Sequence, residues 1–178
     1  CKNDRERSEL IQRGKTQKEG DEYWYRWSIY LPEGHQNIYR TKLAYGQFHQ
    51  SPGDCQPVFM FQEYGGGYWL QIDAPLQGFE DDRKLLEPKD FIGKWNDIVV
   101  HARWTKKGNG WFRVRINGDE KTFYDGKTMN CKEVYFKYGV YRSFISRSSK
   151  SKTVTTAAYF DGLVRSKTKK GMFDPLPE

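Results

Sequence analysis

A two-residue alternation of apolar and polar side chains is the feature of this chain that most limits its fold. In the stretch WNDIVVHARW, every second residue from Ile98 to Trp104 is apolar, and the positions between them include His101 and Arg103. Side chains that alternate in this way point to opposite faces of a β-strand, whereas a helix needs a repeat near 3.6 residues. Helical periodicity is nearly absent from the 178 residues. The pattern therefore predicts a protein built mainly of β-strands.

Similar stretches recur at short intervals between turn-forming residues. We predict strands at 22–31, 43–49, 58–64, 68–73, 95–104, 111–116, 120–124, 133–142 and 155–165. Asn117-Gly118 between two of them is a strong hairpin signal. Nine or ten short, regularly spaced strands are typical of a β-sandwich or jelly roll. The sequence thus predicts an all-β jelly roll that forms a single domain over residues 1–178.

The segments between the strands give few other elements. Residues 87–92 predict one short helical turn, because proline suits a first helical position and stands at Pro88. Residues 143–154, rich in Ser, Lys and Arg, are typical of a mobile loop, and we expect an irregular tail over 167–178. The chain begins at Cys1 without an initiator methionine or signal peptide, and we expect the native chain to continue upstream.

The charge and the three cysteines narrow the classes of function. A net charge of +7 favours polyanionic partners, namely nucleic acid, acidic polysaccharide or anionic membrane. No run of 18 apolar residues is present to span a membrane. Without a CxxC or Cys/His cluster, a zinc site is not expected. Cys55 and Cys131 are the favoured disulfide pair, with Cys1 left over, and three unpaired thiols remain the alternative.

The stretch YFKYGVYR (135–142) places an unusual set of side chains on one strand face. Tyr135, Lys137, Gly139 and Tyr141 alternate and should point the same way. This face offers a cation and a phenol on either side of a residue that has no side chain. Such a set is poorly suited to a core and well suited to lining a groove.

Two other stretches show polar, chemically capable residues at the same spacing. Arg5, Arg7 and Glu9 share a face in RERSEL, and Gln47 and His49 share a face in GQFHQ. A solvated sheet face is the ordinary explanation for one such pair. Solvated faces are usually built from Lys, Glu, Thr and Ser, however, whereas these stretches carry Arg, Gln and His. Together the three stretches indicate one polar groove.

These stretches resemble the three signature strands of jelly-roll polysaccharide lyases. Alginate lyases of this fold carry R[ST]E[LV]R, Q-x-H and YFKAG-x-Y, and RSEL, QFH and YFKYGVY follow here in that order. WYRWSIYLPEG and GKW-x-D-x-V-V-H are similar to the heparin lyase and glucuronan lyase branch. Ile11 and Tyr138 depart from the alginate pattern, which has arginine and alanine there. The resemblance covers about residues 5–165 and favours a β-1,4-glucuronan as substrate, with alginate or heparin-type chains as alternatives.

The resemblance implies cleavage of a uronate polymer by β-elimination. A base removes the proton at C5, next to the carboxylate, and an acid protonates the departing O4. By match to the motifs, Arg7 and Gln47 neutralise the carboxylate, which guanidinium and amide groups suit. His49 is a neutraliser or the base. Tyr141 is the proton donor to O4 and is also a candidate for the base.

Further residues are expected to contact the polymer. Substrate-binding candidates are Lys137, Arg5, Arg142 and Tyr135. Lys137 lies four residues before Tyr141, about 13 Å along a straight strand. From there it would bind the carboxylate of a neighbouring sugar or lower the pKa of the tyrosine from a distance. Gly139 would leave room for the sugar ring. For Arg7, a structural ion pair with a glutamate is the competing explanation.

The resemblance implies a secreted, endo-acting and monomeric enzyme that binds acidic polysaccharide and neither nucleic acid nor membrane. No cofactor is needed for the chemistry, but related folds often bind calcium, for which Asp81, Asp82 and Asp161 are candidate ligands. A non-catalytic carbohydrate-binding jelly roll is the main alternative. A nucleic-acid binder is disfavoured because the positive charge is spread along the chain. A glycosidase would need two nearby acids, and only Glu9 is suitably placed.

Overall fold

The computed structural model describes residues 4–73, 76, 78 and 81–173, and these residues form two antiparallel β-sheets. The strands are β1 (Arg5–Ile11), β2 (Glu22–Tyr30), β3 (Lys42–Ser51), β4 (Phe59–Tyr64), β5 (Gly67–Ile72), β6 (Asp81–Leu86), β7 (Trp95–Arg103), β8 (Gly110–Ile116), β9 (Asp119–Gly126), β10 (Glu133–Ser143) and β11 (Tyr159–Ser166). One short helix, α1 (Pro88–Phe91), follows β6. Within the described ranges, no helix is long and apolar enough to cross a membrane.

The order of the strands brings distant parts of the sequence together. One sheet has the order β1-β10-β3-β4-β5-β6, and the other has the order β11-β2-β7-β8-β9. The predicted β-sandwich of jelly-roll type is confirmed. The three stretches singled out in the sequence lie on β1, β10 and β3, so residues far apart in the chain occupy three adjacent strands.

Aromatic side chains fill the space between the sheets. Phe59 of one sheet stacks on Phe112 of the other, with 3.8 Å between ring centroids. Some of the buried aromatic residues are also joined by hydrogen bonds, as where Trp104 Nε1 donates to the hydroxyl of Tyr25 at 3.0 Å. This interlocked core supports the six-stranded sheet and the groups on its outer face.

Each predicted strand is present within a few residues of its predicted bounds, but β6 was missed. Its sequence, DDRKLL, lacks β-branched and aromatic residues, and it is the outermost strand of its sheet, with only Leu85 and Leu86 at its end buried. The predicted loop at 143–154 contains two short 3₁₀ turns, Ile145–Arg147 and Ser149–Lys152. Cys1 and residues 174–178 of the predicted tail lie outside the described part of the chain.

The disulfide between Cys55 and Cys131 is confirmed. It joins the segment after β3 to the turn before β10, so it ties together two strands that carry candidate site residues. Gln50 reinforces this connection, because its side-chain oxygen accepts hydrogen bonds from the backbone of Asn130 at 2.8 Å and of Cys131 at 3.0 Å.

We expect loss of this disulfide to destabilise the fold strongly. The two cysteines are 76 residues apart, and closing a loop of that length restricts the unfolded chain by about 4 kcal/mol. Urea unfolding with and without reductant measures the effect. A variant with serine at both positions should be equally destabilised and no longer respond to reductant. An unchanged midpoint in the reduced parent would contradict this prediction.

Candidate active site

Three adjacent strands present the predicted site residues on one face of the six-stranded sheet. Across the β1–β10 pair, Arg7 is opposite Tyr141. Across the β10–β3 pair, Lys137 is opposite Gln47 and Tyr135 is opposite His49. Side chains directly opposite one another on the same sheet face are close enough to interact. The structure therefore brings together residues from the beginning, the middle and the end of the chain.

A groove of about 190 Å³ opens on this face. We call it the candidate groove, and its lining residues are Arg5, Arg7, Lys42, Gln47, His49, Gln56, Pro57, Met60, Lys137, Tyr141, Ser143 and Phe144. Four of these carry positive charge, and none of the lining residues in the described part of the chain is acidic. Such a surface attracts an anionic ligand.

One acidic side chain, Glu9, lies next to the candidate groove and is 7% exposed. Its Oε1 accepts a hydrogen bond from Gln47 Nε2 at 2.5 Å. Its Oε2 lies 3.6 Å from Lys137 Nζ and 3.9 Å from an Arg7 nitrogen. The carboxylate thus orients the amide of Gln47 and draws two cations towards one point. Because an amide nitrogen carries two N–H groups, Gln47 keeps a second donor.

The sequence placed Glu9 on this face without giving it a role. The available signal was that Glu9 is the one acid on the strand face that it shares with Arg5 and Arg7. The ion pair between Arg7 and Glu9, the competing explanation for Arg7, is present. It does not remove Arg7 from the candidate groove, because the arginine side chain is 53% exposed and lines it.

Burial changes the protonation of two groups in the candidate groove. Burial lowers the pKa of Lys137, and the Glu9 carboxylate opposes this effect. Half-burial also lowers the pKa of His49, and the positive charge of Lys137 adds to this effect. Both shifts follow from the cost of removing a charged group from water. Neutral His49 is therefore favoured over the imidazolium.

The ring of His49 is held on two sides. Its Nδ1 lies 2.9 Å from both the backbone carbonyl oxygen and the backbone nitrogen of Gln50, and in the tautomer whose Nδ1–H donates to the carbonyl, the lone pair of Nε2 is available to accept a proton. Tyr135 stacks on the ring with 5.4 Å between centroids. Tyr135, predicted to bind substrate, is thus placed against His49 and is not among the residues that line the candidate groove.

Tyr141 lies under a positive charge. The guanidinium carbon of Arg7 is 4.8 Å from the centroid of the tyrosine ring. A cation over the ring face is an attractive interaction, and it fixes both side chains relative to one another. The phenol that is predicted to transfer a proton therefore stands next to a group predicted to bind the substrate carboxylate.

The expectation that Gly139 makes room for a sugar ring is wrong. Gly139 has φ of +133°, and a Cβ there would overlap the carbonyl oxygen of Ser8 and lie 2.8 Å from Glu9 Cα. The missing side chain therefore makes room for the backbone of β1. Gly139 allows the close approach that places Arg7 and Glu9 beside β10.

The structure does not bring Arg142 to the candidate groove. Its side chain is on the opposite face of β10, because neighbouring residues in a strand alternate. The guanidinium donates to the carbonyl of Ser151 and to that of Val154 at 3.3 Å, and it lies 3.2 Å from Glu6. These contacts hold the segment after β10, so the prediction of a substrate contact by Arg142 is corrected to a structural role.

The other two histidines lie outside the candidate groove. His35 is buried, with Nε2 at 2.7 Å from Glu63. His101 stacks on Trp24 in the five-stranded sheet, at 3.9 Å between centroids. Of the three histidines, His49 is the one that lines the candidate groove, and its role in the reaction stays a prediction.

The proposed calcium ligands do not form a common site. Asp81 and Asp82 are in β6, whereas Asp161 is in β11 of the other sheet. Asp81 lies 2.7 Å from Arg83 Nε, an ion pair that occupies its carboxylate. Among the described residues, no group of three or more His, Cys, Asp and Glu side chains is arranged to hold a metal ion. These three residues therefore do not fit a calcium site, and the elimination reaction is assigned to side chains of the candidate groove alone.

A protein-family model described as polysaccharide lyase matches residues 1–164. The chain belongs to the polysaccharide lyase family. Among curated proteins, none matches its sequence.

Solved structures similar to this lyase share its fold. An endo-β-1,4-glucuronan lyase from the fungus Trichoderma reesei is 17% identical, with a TM-score of 0.69 over 92% of this chain and 75% of that chain. The alginate lyase AlyC3 is 14% identical, with a TM-score of 0.63 over 93% and 72%. The family 7 alginate lyase AlgAT5 is 20% identical, with a TM-score of 0.61 over 91% and 69%.

Proposed function

We propose that this polysaccharide lyase cleaves a uronic-acid polymer by β-elimination. The observation that carries the proposal is the meeting of Arg7, Gln47, His49 and Tyr141 in one groove that is lined by cations. Each residue type suits one requirement of the reaction: cationic and amide donors for a carboxylate, and a phenol and an imidazole for proton transfer.

The proposed reaction begins with the carboxylate of the sugar whose glycosidic bond is cleaved. Arg7 and the second N–H of Gln47 bind this carboxylate and stabilise the negative charge that develops when C5 loses its proton. Tyr141 or neutral His49 accepts that proton. The electron pair forms the C4–C5 double bond and the C4–O4 bond breaks. Tyr141 protonates O4, so one product has a new unsaturated end and the other a new hydroxyl.

Hydrolysis by two carboxyl groups is disfavoured by the same geometry. Glycosidases place two carboxyl groups about 5 to 10 Å apart across the bond that they cleave. Glu9 is the acid nearest the candidate groove in the described part of the chain, and it is largely buried and bound to Gln47 and Lys137. It is therefore a positioning residue in this proposal.

The favoured substrate is a β-1,4-linked glucuronan. The structurally similar fungal enzyme is named an endo-β-1,4-glucuronan lyase, and Ile11 and Tyr138 depart from the alginate lyase motifs. Alginate and heparin-type chains are the alternatives, since each also places a carboxylate at C5. The proposal includes endo action, secretion and a monomeric state.

Mass spectrometry of the products tests the chemistry. Elimination gives a new non-reducing end that is one water lighter than the end left by hydrolysis. We expect this lighter product from glucuronan, with chains cut internally from the earliest times. Products that carry the full mass of hydrolysis would overturn the proposal.

The acidic limb of the pH profile of kcat/KM should reflect the protonation of His49. Because burial lowers the pKa of His49, its neutral form persists to lower pH than that of a free histidine. The acidic limb of kcat/KM should therefore lie below about pH 6.5. Lys137→Met removes a positive charge that lowers this pKa, so the limb should move to higher pH. Lys121→Met, in the opposite sheet, is the matched control and should leave the limb unchanged.

A further inference from the structure

A second depression adjoins the candidate groove on the same face of the sheet. It has a volume of about 420 Å³, and Lys42, Gln62 and Gln71 are part of its lining from β3, β4 and β5. Lys42 and Phe144 line both the second depression and the candidate groove. The two spaces therefore adjoin at Lys42 and Phe144.

Phe144 forms the boundary between the two spaces in an uncommon backbone conformation. Its φ is +58°, in the left-handed region that residues other than glycine rarely adopt. Asp4 holds the following turn in place by accepting hydrogen bonds from the backbone N–H of Ser146 at 2.6 Å and from its hydroxyl at 2.8 Å. Backbone strain that the surroundings maintain is often found at ligand-binding positions.

The charges around the second depression favour an anion. Lys42, Arg40 and Arg147 contribute positive charge to its lining. Of the two acidic residues there, Glu63 is paired with buried His35 at 2.7 Å, and Asp82 accepts a hydrogen bond from Gln62 at 3.2 Å. The cations therefore exceed the acids, and one of the acids is already paired inside the protein.

The rim of the second depression carries two exposed aromatic rings. Tyr39 and Tyr64 are 51% and 50% exposed, and their hydroxyl groups are 2.9 Å apart. Their rings meet edge to face, with centroids 4.9 Å apart. A tyrosine offers an apolar ring face and a polar tip, a combination that suits the apolar face and hydroxyl groups of a sugar.

We propose that the second depression is a subsite for the uronate next to the one whose bond is cleaved. Lys42 and Arg147 bind the carboxylate of this neighbouring sugar, and Tyr39 and Tyr64 pack against its ring. The proposal rests on the proposed function and deepens it, because it names what the polymer contacts beyond the reacting sugar. Oligosaccharides too short to fill both spaces should bind weakly.

Calorimetric titration with glucuronan oligosaccharides of two to six sugars tests the subsite. A Tyr141→Phe background slows turnover by about 10²- to 10⁴-fold, and Lys42→Met and Arg147→Ala are compared in that background. Affinity should rise with chain length in the background protein. Each substitution should weaken binding of the longest oligosaccharide by about tenfold, the effect of one lost contact to a charged group. Lys121→Met, in the opposite sheet, should have no effect.

Two checks keep the result decisive. Lys42→Met retains the apolar stem of lysine, and circular dichroism confirms that each variant is folded. Equal affinity of Lys42→Met, Arg147→Ala and the control, or no binding by the background protein, overturns the subsite.

Elimination by the unmodified protein is measured separately, as formation of unsaturated product from polymeric glucuronan, alginate, heparin and pectate. If unsaturated product forms and the variants bind as well as the background protein, the subsite is contradicted and the proposed function stands. Absence of unsaturated product from all four polymers would overturn the proposed function, and the binding comparison would then decide only whether the second depression binds a uronate.

Discussion

Replacing Tyr141 with phenylalanine should leave the fold intact and lower turnover by about 10²- to 10⁴-fold, the usual contribution of a positioned acid or base. The hydroxyl is the only group removed, and the phenyl ring keeps its contact with the Arg7 guanidinium. Binding of the polymer should change little, so the loss should appear in kcat and not in KM. Initial rates of unsaturated-product formation over a range of polymer concentrations separate the two constants.

Tyr159→Phe is the matched control for this experiment. Tyr159 is 57% exposed and lies on β11 of the other sheet, so removal of its hydroxyl should not affect turnover. Full activity of Tyr141→Phe would remove the tyrosine from the reaction and leave His49 as the remaining candidate for proton transfer.

Gly139→Ala should damage both stability and activity. The added Cβ would overlap the Ser8 carbonyl oxygen, and the backbone would be held at a φ of +133°. Strain and overpacking of this kind cost about 3 kcal/mol. β1 is at the edge of its sheet and is the element most able to move, so it should shift and carry Arg7 and Glu9 away from β10. We therefore expect a lower unfolding midpoint in urea and a large loss of activity in the fraction that remains folded.

Gly108→Ala provides the comparison, because a Cβ at Gly108 has no atom within 4 Å and its φ lies outside the left-handed region. This variant should match the parent in both measurements. If Gly139→Ala kept parental stability and activity, the close approach of β1 and β10 would not be needed for the site.

The fold was predictable because it depends on local patterns. Alternation along β7 and the Asn117-Gly118 turn follow from strand and hairpin geometry alone. β6 escaped prediction because its first four residues are all charged and show no alternation of apolar and polar side chains. Asp81 and Asp82 were predicted only as calcium ligands, and the pairing with β5 shows that they begin a strand.

The candidate groove was predictable in part, because residues that alternate on one strand must share a face. What the sequence could not show was the order of strands in the sheet. That order brings Glu9 within contact distance of both Gln47 and Lys137, and it puts Gly139 against the backbone of β1. The predicted substrate contact of Arg142 was wrong because the sequence does not show what lies on the other face of β10. There the guanidinium of Arg142 binds backbone carbonyl groups.

Absorbance of the 4,5-unsaturated uronate, followed during incubation with glucuronan, alginate, heparin and pectate, with and without calcium, tests the central claim most directly. The proposed mechanism predicts a steady rise with glucuronan that does not need calcium and that Tyr141→Phe slows by about 10²- to 10⁴-fold. Flat traces on all four polymers from folded protein would contradict elimination of a uronate polymer by this groove.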